Sequence, residues 1–131
     1  MTEILCTTDF SVSSQEALRW SIDLAKQLGA HITVLYTYRL FKGDGEVVSS
    51  KRIIEEEALR NFGRLEKELL AGSGLDYDFK SEVGFVSDRV EMHAKKRNVS
   101  FLVMGKNMPD LNREGFEELM SQLRFPLVIV P

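Results

Sequence analysis

Five short apolar runs alternate with four amphipathic stretches along the chain, and this alternation is the strongest constraint on its fold. The runs predict β-strands over residues 4–8, 32–38, 75–83, 101–104 and 127–130, because they are rich in branched and aromatic side chains. The stretches between them repeat apolar residues three and four positions apart, which predicts helices. Strands separated by helices favour an α/β fold, an open five-stranded parallel sheet with helices on both faces.

The ends of the predicted helices carry recognisable signals. Ser11 or Ser13 is placed to cap the first helix, and Glu16, three residues after Ser13, would complete a capping box. Gly29 is placed to end that helix. The second helix is predicted over residues 50–71, after a surface loop at residues 39–49. A third helix is predicted to be capped by Ser87-Asp88, and a fourth covers residues 112–123. The alternating strand 75–83 is predicted at a sheet edge.

Length and composition indicate one ordinary globular domain over residues 1–131. The net charge of −3 comes without a basic stripe, so neither nucleic acid nor a membrane surface is expected as the main partner. No apolar run approaches the length of a membrane span, and the N-terminal residues predict no signal peptide. The single cysteine, Cys6, lies in the first strand, which excludes an intrachain disulfide and suits a reducing cytoplasm.

Ligands of parallel sheets bind at the carboxyl ends of the strands, which points to the loops after strands 1 and 4. Thr7, Thr8 and Asp9 end the first strand, and Met104-Gly105 end the fourth. Asp9 has two readings: it caps the helix or fixes the turn, or it contacts a small ligand. The histidines His31 and His93 lie on different elements without metal-ligand spacing, so no metal site is predicted. A Ser–His–acid triad is equally unsupported.

Several segments together resemble the universal stress protein family over essentially the whole chain. They are residues 4–11, 16–18, 24–30, 32–35, 101–105 and 126–131. The resemblance implies the strand order 3-2-1-4-5, a cytoplasmic stress-linked role and a homodimer paired through the last strand, at Leu127, Val128, Ile129 and Val130. It also implies a remnant nucleotide or small-ligand pocket built from Thr7, Thr8, Asp9, Thr37, Met104, Gly105 and Lys106.

Nucleotide-binding members of that family resemble one another in a glycine signature after strand 4. Gly105 matches its first position, but the remaining positions fall on Met108, Glu118 and Leu119. A deletion in the alignment rescues Gly115 alone, which Phe116 follows where a hydroxyl residue is expected. The segment is also shorter than the resemblance leads one to expect. Without glycines, backbone N–H groups cannot approach phosphates closely.

The charges near this loop oppose phosphate binding as well. Asp110 and Glu114 fall where phosphates would lie, against Lys106 and Arg113. The favoured hypothesis is therefore a regulatory homodimer, not an enzyme, that needs no cofactor, does not bind ATP tightly, and acts through a protein partner or a small ligand. The alternative is a member that binds ATP with Mg²⁺ through an altered loop, with slow hydrolysis or a nucleotide-dependent switch.

Overall fold

In a computed structural model, which describes residues 2–40, 47–108 and 113–131, five strands form one sheet in the order β3-β2-β1-β4-β5. Each neighbouring pair is parallel. The predicted α/β fold and its strand order 3-2-1-4-5 are confirmed. The strands are β1 (Glu3–Thr8), β2 (His31–Tyr38), β3 (Asp76–Val83), β4 (Val99–Gly105) and β5 (Leu127–Val130).

The helices cover both faces of this sheet, because the central strands bury alternate side chains on opposite sides. They are α1 (Val12–Leu28), α2 (Val47–Leu65), α3 (Val86–Lys96) and α4 (Arg113–Gln122), and a single π-helical turn, Glu66–Leu70, continues α2. Ile4 and Cys6 of β1 pack with α1 and α2, whereas Leu5 packs with α3 and α4. Removing such side chains from water stabilises the fold by about 1.5–3 kcal/mol each.

The start of α1 follows one of the two predictions. Ser11 is the N-cap, and its hydroxyl oxygen accepts a hydrogen bond from the Ser14 backbone N–H at 3.2 Å. The capping box from Ser13 to Glu16 is wrong, because Ser13 already lies inside the helix. Gly29 ends α1 in the left-handed conformation, at φ 63°, as predicted.

The start of α3 differs from the prediction. Phe85 is the N-cap and makes no side-chain capping hydrogen bond, so Ser87 and Asp88 lie within the first turn. The physical reason is the turn before the helix. Gly84, at φ 138°, donates its N–H to the Tyr38 carbonyl at 2.8 Å, and this turn brings the chain into the helix earlier than Ser87. β3 lies at a sheet edge, as predicted.

Candidate functional site

A cavity of about 250 Å³ opens at the carboxyl ends of β1 and β2, where ligands of such folds bind. The turn between β3 and α3 and the turn after β4 complete its walls. Its described lining residues are Thr8, Asp9, Thr37, Tyr38, Arg39, Gly84, Phe85, Val86 and Met108. We call this space the strand-end cavity.

The turn from β1 to α1 is held by the Asp9 carboxylate. Its Oδ1 accepts hydrogen bonds from the Ser11 backbone N–H at 2.9 Å and from the Ser14 hydroxyl at 2.9 Å. Burial alone would raise the pKa of Asp9, but the hydrogen bonds from Ser11 and Ser14 outweigh it and lower that pKa. Asp9 is therefore ionised at neutral pH, and it fixes the turn while lining the strand-end cavity.

Phe10 takes a strained conformation that this turn requires. Its φ is 63°, in the left-handed region that non-glycine residues seldom adopt. The ring compensates by packing against Tyr36, at 5.0 Å between centroids, and Phe79, at 6.2 Å. The Phe10 backbone N–H also donates to Thr8 Oγ1 at 3.0 Å. These contacts hold Thr8 and Asp9 at the cavity wall.

Gly105, the first position of the glycine signature, lies against α1. A β-carbon there would stand 2.5 Å from Ser13 Oγ and 2.7 Å from the Ser13 carbonyl oxygen. Those distances are far below ordinary contact, so the packing of α1 on β4 requires glycine at this position. A glycine at position 105 is thus explained without a bound phosphate.

The next signature position carries a large buried side chain. Met108 is 4% exposed, packs with Val86 and Leu119, and lines the strand-end cavity. Its N–H donates to the Gly105 carbonyl at 3.1 Å. The last signature position, Leu119, is also buried, at 3% exposure, while Glu118 faces solvent. Apolar packing therefore occupies two of the positions at which the signature has small residues.

The charges predicted beside this loop fall only partly within the described chain. Asp110 and the side chains of Arg113 and Glu114 lie outside the described residues. Lys106 is exposed.

One aromatic residue, Phe85, and one cationic residue, Arg39, close the other side of the cavity, and the sequence analysis did not predict either. The Arg39 guanidinium lies over the Phe85 ring, 4.7 Å from its centroid. Among the described lining residues, Asp9 contributes the carboxylate and Arg39 the guanidinium. Their positions directly after β2 and β3 are the signal that could have found them, because parallel strands bring their carboxyl ends to one edge.

Three of the seven predicted pocket residues line the strand-end cavity, and the other four do not. Thr8, Asp9 and Thr37 line the strand-end cavity. Thr7 and Met104 are instead buried in the core, and the Thr7 hydroxyl has no hydrogen-bond partner in the part of the chain that the structure describes. The predicted dimer strand, β5, forms the second sheet edge; Ile129 is 40% exposed, and Leu127, Val128 and Val130 are half-buried.

The described residues contain neither a cluster of metal ligands nor a helix long and apolar enough to span a membrane. Over residues 2–40, 47–108 and 113–131, no group of three His, Cys, Asp or Glu side chains is arranged to hold a metal ion. None of the helices in those ranges combines the length and hydropathy needed to cross a bilayer.

Comparison with known proteins gives a consistent result. A family model described as the universal stress protein family matches residues 1–121. A search of curated proteins found no significant match. Among solved structures, a universal stress protein family member from Burkholderia pseudomallei superposes with a TM-score of 0.80 at 22% identity, covering 99% of this chain and 96% of that one.

Two further solved structures contain nucleotides. A universal stress protein family protein from Arabidopsis thaliana with AMP bound has a TM-score of 0.70 at 14% identity, covering 99% of this chain and 91% of that one. The universal stress protein from Archaeoglobus fulgidus in complex with dAMP has a TM-score of 0.65 at 14% identity, covering 100% and 98%. At these identities the likeness shows a shared fold.

Proposed function

This chain belongs to the universal stress protein family, and from that premise we propose a cytoplasmic regulatory module that binds a nucleoside or nucleoside monophosphate instead of ATP. The observation that carries the proposal is Met108, which is 4% exposed and fills the wall of the strand-end cavity where the signature has glycine. The relatives solved with AMP and dAMP support a monophosphate as the ligand class.

The size of the strand-end cavity supports the same ligand class. Its volume, about 250 Å³, lies just below the roughly 300–1,000 Å³ usual for ligand pockets. A nucleoside fits such a space, whereas a triphosphate needs a further cradle of backbone N–H groups. Losing about three charge-assisted hydrogen bonds costs roughly 5–9 kcal/mol, which weakens binding by thousands-fold or more.

Polar and aromatic groups around the cavity suit a nucleoside. The ionised Asp9 and the Thr37 side chain offer acceptors for ribose hydroxyls, whereas the Thr8 hydroxyl is already bonded to Phe10 and Ser14. The Phe85 ring, 41% exposed, and the Arg39 guanidinium that lies over it offer flat surfaces against which a base can stack. The free, buried thiol of Cys6 suits a reducing compartment, in keeping with the cytoplasm.

Calorimetric titration tests this ligand class. Protein first shown to carry no co-purified nucleotide is titrated with adenosine, AMP and Mg-ATP in parallel. We expect heat with adenosine and AMP and none with ATP at millimolar concentration. Flat curves with all three would refute the ligand proposal. Low-micromolar ATP binding would replace it with a nucleotide switch, a reading that the ordered Thr8–Asp9 turn favours.

A matched pair of variants locates the binding. Phe85→Ala removes a ring that lines the cavity, and Met92→Ala removes a side chain of similar exposure, 38% against 41%, from the helix that Phe85 precedes. Base stacking is worth about 1–3 kcal/mol, so Phe85→Ala should weaken AMP binding roughly five-fold or more. Met92→Ala should leave the affinity unchanged, and equal effects of both variants would place the ligand elsewhere.

We also propose that the protein is a homodimer through β5. This strand is a sheet edge whose outer backbone groups need a partner, and a two-fold symmetric pairing supplies one. Light scattering at micromolar concentration should give the mass of two chains. Ile129→Arg should give monomers, while Ile53→Arg, at an exposed apolar residue of α2, should not. A monomeric mass for the unaltered protein would refute the dimer.

A further inference from the structure

A second cavity lies at the opposite end of the sheet, between the C-terminal ends of α3 and α4. Its volume is about 880 Å³, more than three times that of the strand-end cavity. The first residue of β4, Val99, contributes to its floor. We call it the α3–α4 groove, and neither the fold nor the nucleoside site requires it.

The floor of the groove is apolar. Val99, Leu119, Leu123 and Phe125 line it, and of these Val99, Leu123 and Phe125 are half-buried, so part of their surface still meets solvent. Covering apolar surface is favourable by about 25 cal/mol per Å². The floor therefore offers a place for an apolar side chain supplied from outside.

The rim of the groove is cationic. Lys95, Arg97 and Arg124 line it against one carboxylate, Glu91, which Lys95 already contacts at 3.3 Å. No carboxylate within the described ranges lies at ion-pair distance from Arg124. Since Arg97 also lies 3.8 Å from Asp78 Oδ2, Arg124 carries the positive charge that a ligand of opposite charge would balance.

Arg97 is held in position before any ligand binds. Its Nη1 donates to Thr33 Oγ1 at 2.9 Å, and its Nη2 lies 3.8 Å from Asp78 Oδ2. A guanidinium that is already ordered loses less entropy when it binds a carboxylate, and its planar fork suits that group.

The two helix ends at the groove also shape the choice of ligand. The C-terminus of each helix carries about half a negative charge, which reduces the positive potential at the rim. The last turn of α4 contains no basic side chain, and its Leu119 carbonyl already accepts the Leu123 N–H at 3.0 Å, which leaves the carbonyls of Met120, Ser121 and Gln122 as acceptors. A peptide brings backbone N–H donors to these carbonyls as well as carboxylates to the rim, which a simple anion does not.

We propose that the α3–α4 groove binds an acidic segment of a partner protein that inserts an apolar side chain between Val99 and Phe125. The charge of the rim selects acidic residues, and the floor takes the apolar side chain. This groove is separate from the proposed nucleoside site, because the two cavities share no lining residue and lie at opposite ends of the sheet.

A synthetic peptide tests the proposal directly. The probe is a short fluorescein-labelled peptide in which Asp and Glu flank a Leu–Phe pair, and its control replaces every Asp and Glu by Asn and Gln. Binding is followed by anisotropy with the full-length protein, and amide shifts in ¹H–¹⁵N spectra locate it. We expect binding of the acidic peptide alone, weakened by salt, with shifts at Val99, Leu123 and Phe125.

Variants at exposed residues keep the fold intact. Arg124→Glu should weaken peptide binding roughly tenfold or more, since a like charge then meets the peptide at the rim. Arg52→Glu, on the exposed face of α2, should leave it unchanged. The proposal would be overturned if both peptides bound equally or if both variants had equal effects. It would also be overturned by amide shifts that lie outside the groove, or by no binding at millimolar peptide. Two further results would overturn the proposal. Amide shifts at the groove that are larger with dodecanoate than with the peptide would indicate a small amphipathic acid as the ligand. Amide shifts at the groove that change with protein concentration in the absence of peptide would indicate a second copy of this chain.

Discussion

Gly105 and Ser13 are packed so closely that a β-carbon on Gly105 would stand 2.5 Å from the Ser13 hydroxyl oxygen and 2.7 Å from its carbonyl oxygen. The Ser13 hydroxyl is itself buried and has no hydrogen-bond partner within the described chain. The contact joins the first turn of α1 to the end of β4. The glycine that most resembles a phosphate-loop residue therefore has a packing role of its own.

Gly105→Ala should destabilise the protein by about 1–3 kcal/mol, because the added methyl group meets backbone atoms that cannot rotate away. Gly63→Ala is the matched control. Gly63 lies inside α2 with nothing within 4 Å of the added atom, so that substitution should stabilise by up to about 1 kcal/mol. Urea unfolding of both variants measures the difference, and a neutral Gly105→Ala would contradict the packing role.

Ser14→Ala should cost about 1–3 kcal/mol of unfolding free energy. The Ser14 hydroxyl is 1% exposed, accepts from Thr8 Oγ1 at 3.1 Å and donates to Asp9 Oδ1 at 2.9 Å, so its loss leaves buried groups unpaired. Ser50→Ala, at an exposed position of α2, should change stability by less than about 0.5 kcal/mol. Thermal melts at neutral pH compare the two, and similar shifts for both would refute this account of the turn.

His31 should make the stability depend on pH. Its Nδ1 lies 3.0 Å from Asp76 Oδ2 and its Nε2 lies 2.8 Å from Asp78 Oδ1. Burial alone would lower the pKa of His31, but the hydrogen bonds from its ring to Asp78 and Asp76, with the nearby charge of Glu3, outweigh it and raise that pKa. Arg97 also faces Asp78, at 3.8 Å, and Lys80 lies 3.9 Å from it.

The contacts that raise the pKa of His31 stabilise the fold fully below the pKa of this histidine in the unfolded chain, about 6.5. That stabilisation is lost as the pH rises through the pKa of His31 in the folded protein. His31→Gln should therefore destabilise more at pH 6 than at pH 9, as measured by urea unfolding at both. Asp76→Asn removes one of the two carboxylates that face His31. In a protein that keeps His31, this substitution should reduce the pH dependence of the unfolding free energy. An equal cost of His31→Gln at the two pH values would count against the ion pairs.

Cys6 should react with thiol reagents only when the protein unfolds. Burial raises the pKa of its thiol to about 12, and its side chain is fully inaccessible. Since the thiolate is the nucleophile, neither ionisation nor access favours reaction in the folded state. Labelling with a chromogenic disulfide should follow the unfolding rate across urea concentrations. Rapid labelling in buffer would show that β1 opens locally.

Much of the fold could be predicted because local patterns carry it. The branched runs and amphipathic stretches predicted each strand and helix, and Gly29 ends α1 as its backbone freedom leads one to expect. The cap of α3 failed, because the turn at Gly84 depends on a hydrogen bond to Tyr38, a residue far away in the sequence. Pairings of that kind leave no trace in a local pattern.

The strand-end cavity could be predicted in part for the same reason. Thr8, Asp9 and Thr37 lie where strands end, and the strand pattern located them. The Arg39–Phe85 contact joins two loops that only the assembled sheet brings together. Nor does spacing reveal that Met108 turns inward, since its burial depends on Val86 and Leu119.

α3 connects the two cavities, with Phe85 beside the strand-end cavity at its start and Arg97 on the groove just after its end. Its 11 residues span about 16 Å as one hydrogen-bonded rod. One wall of the strand-end cavity and one side of the groove are therefore held on the same continuous helix, so their separation is fixed by the length of α3.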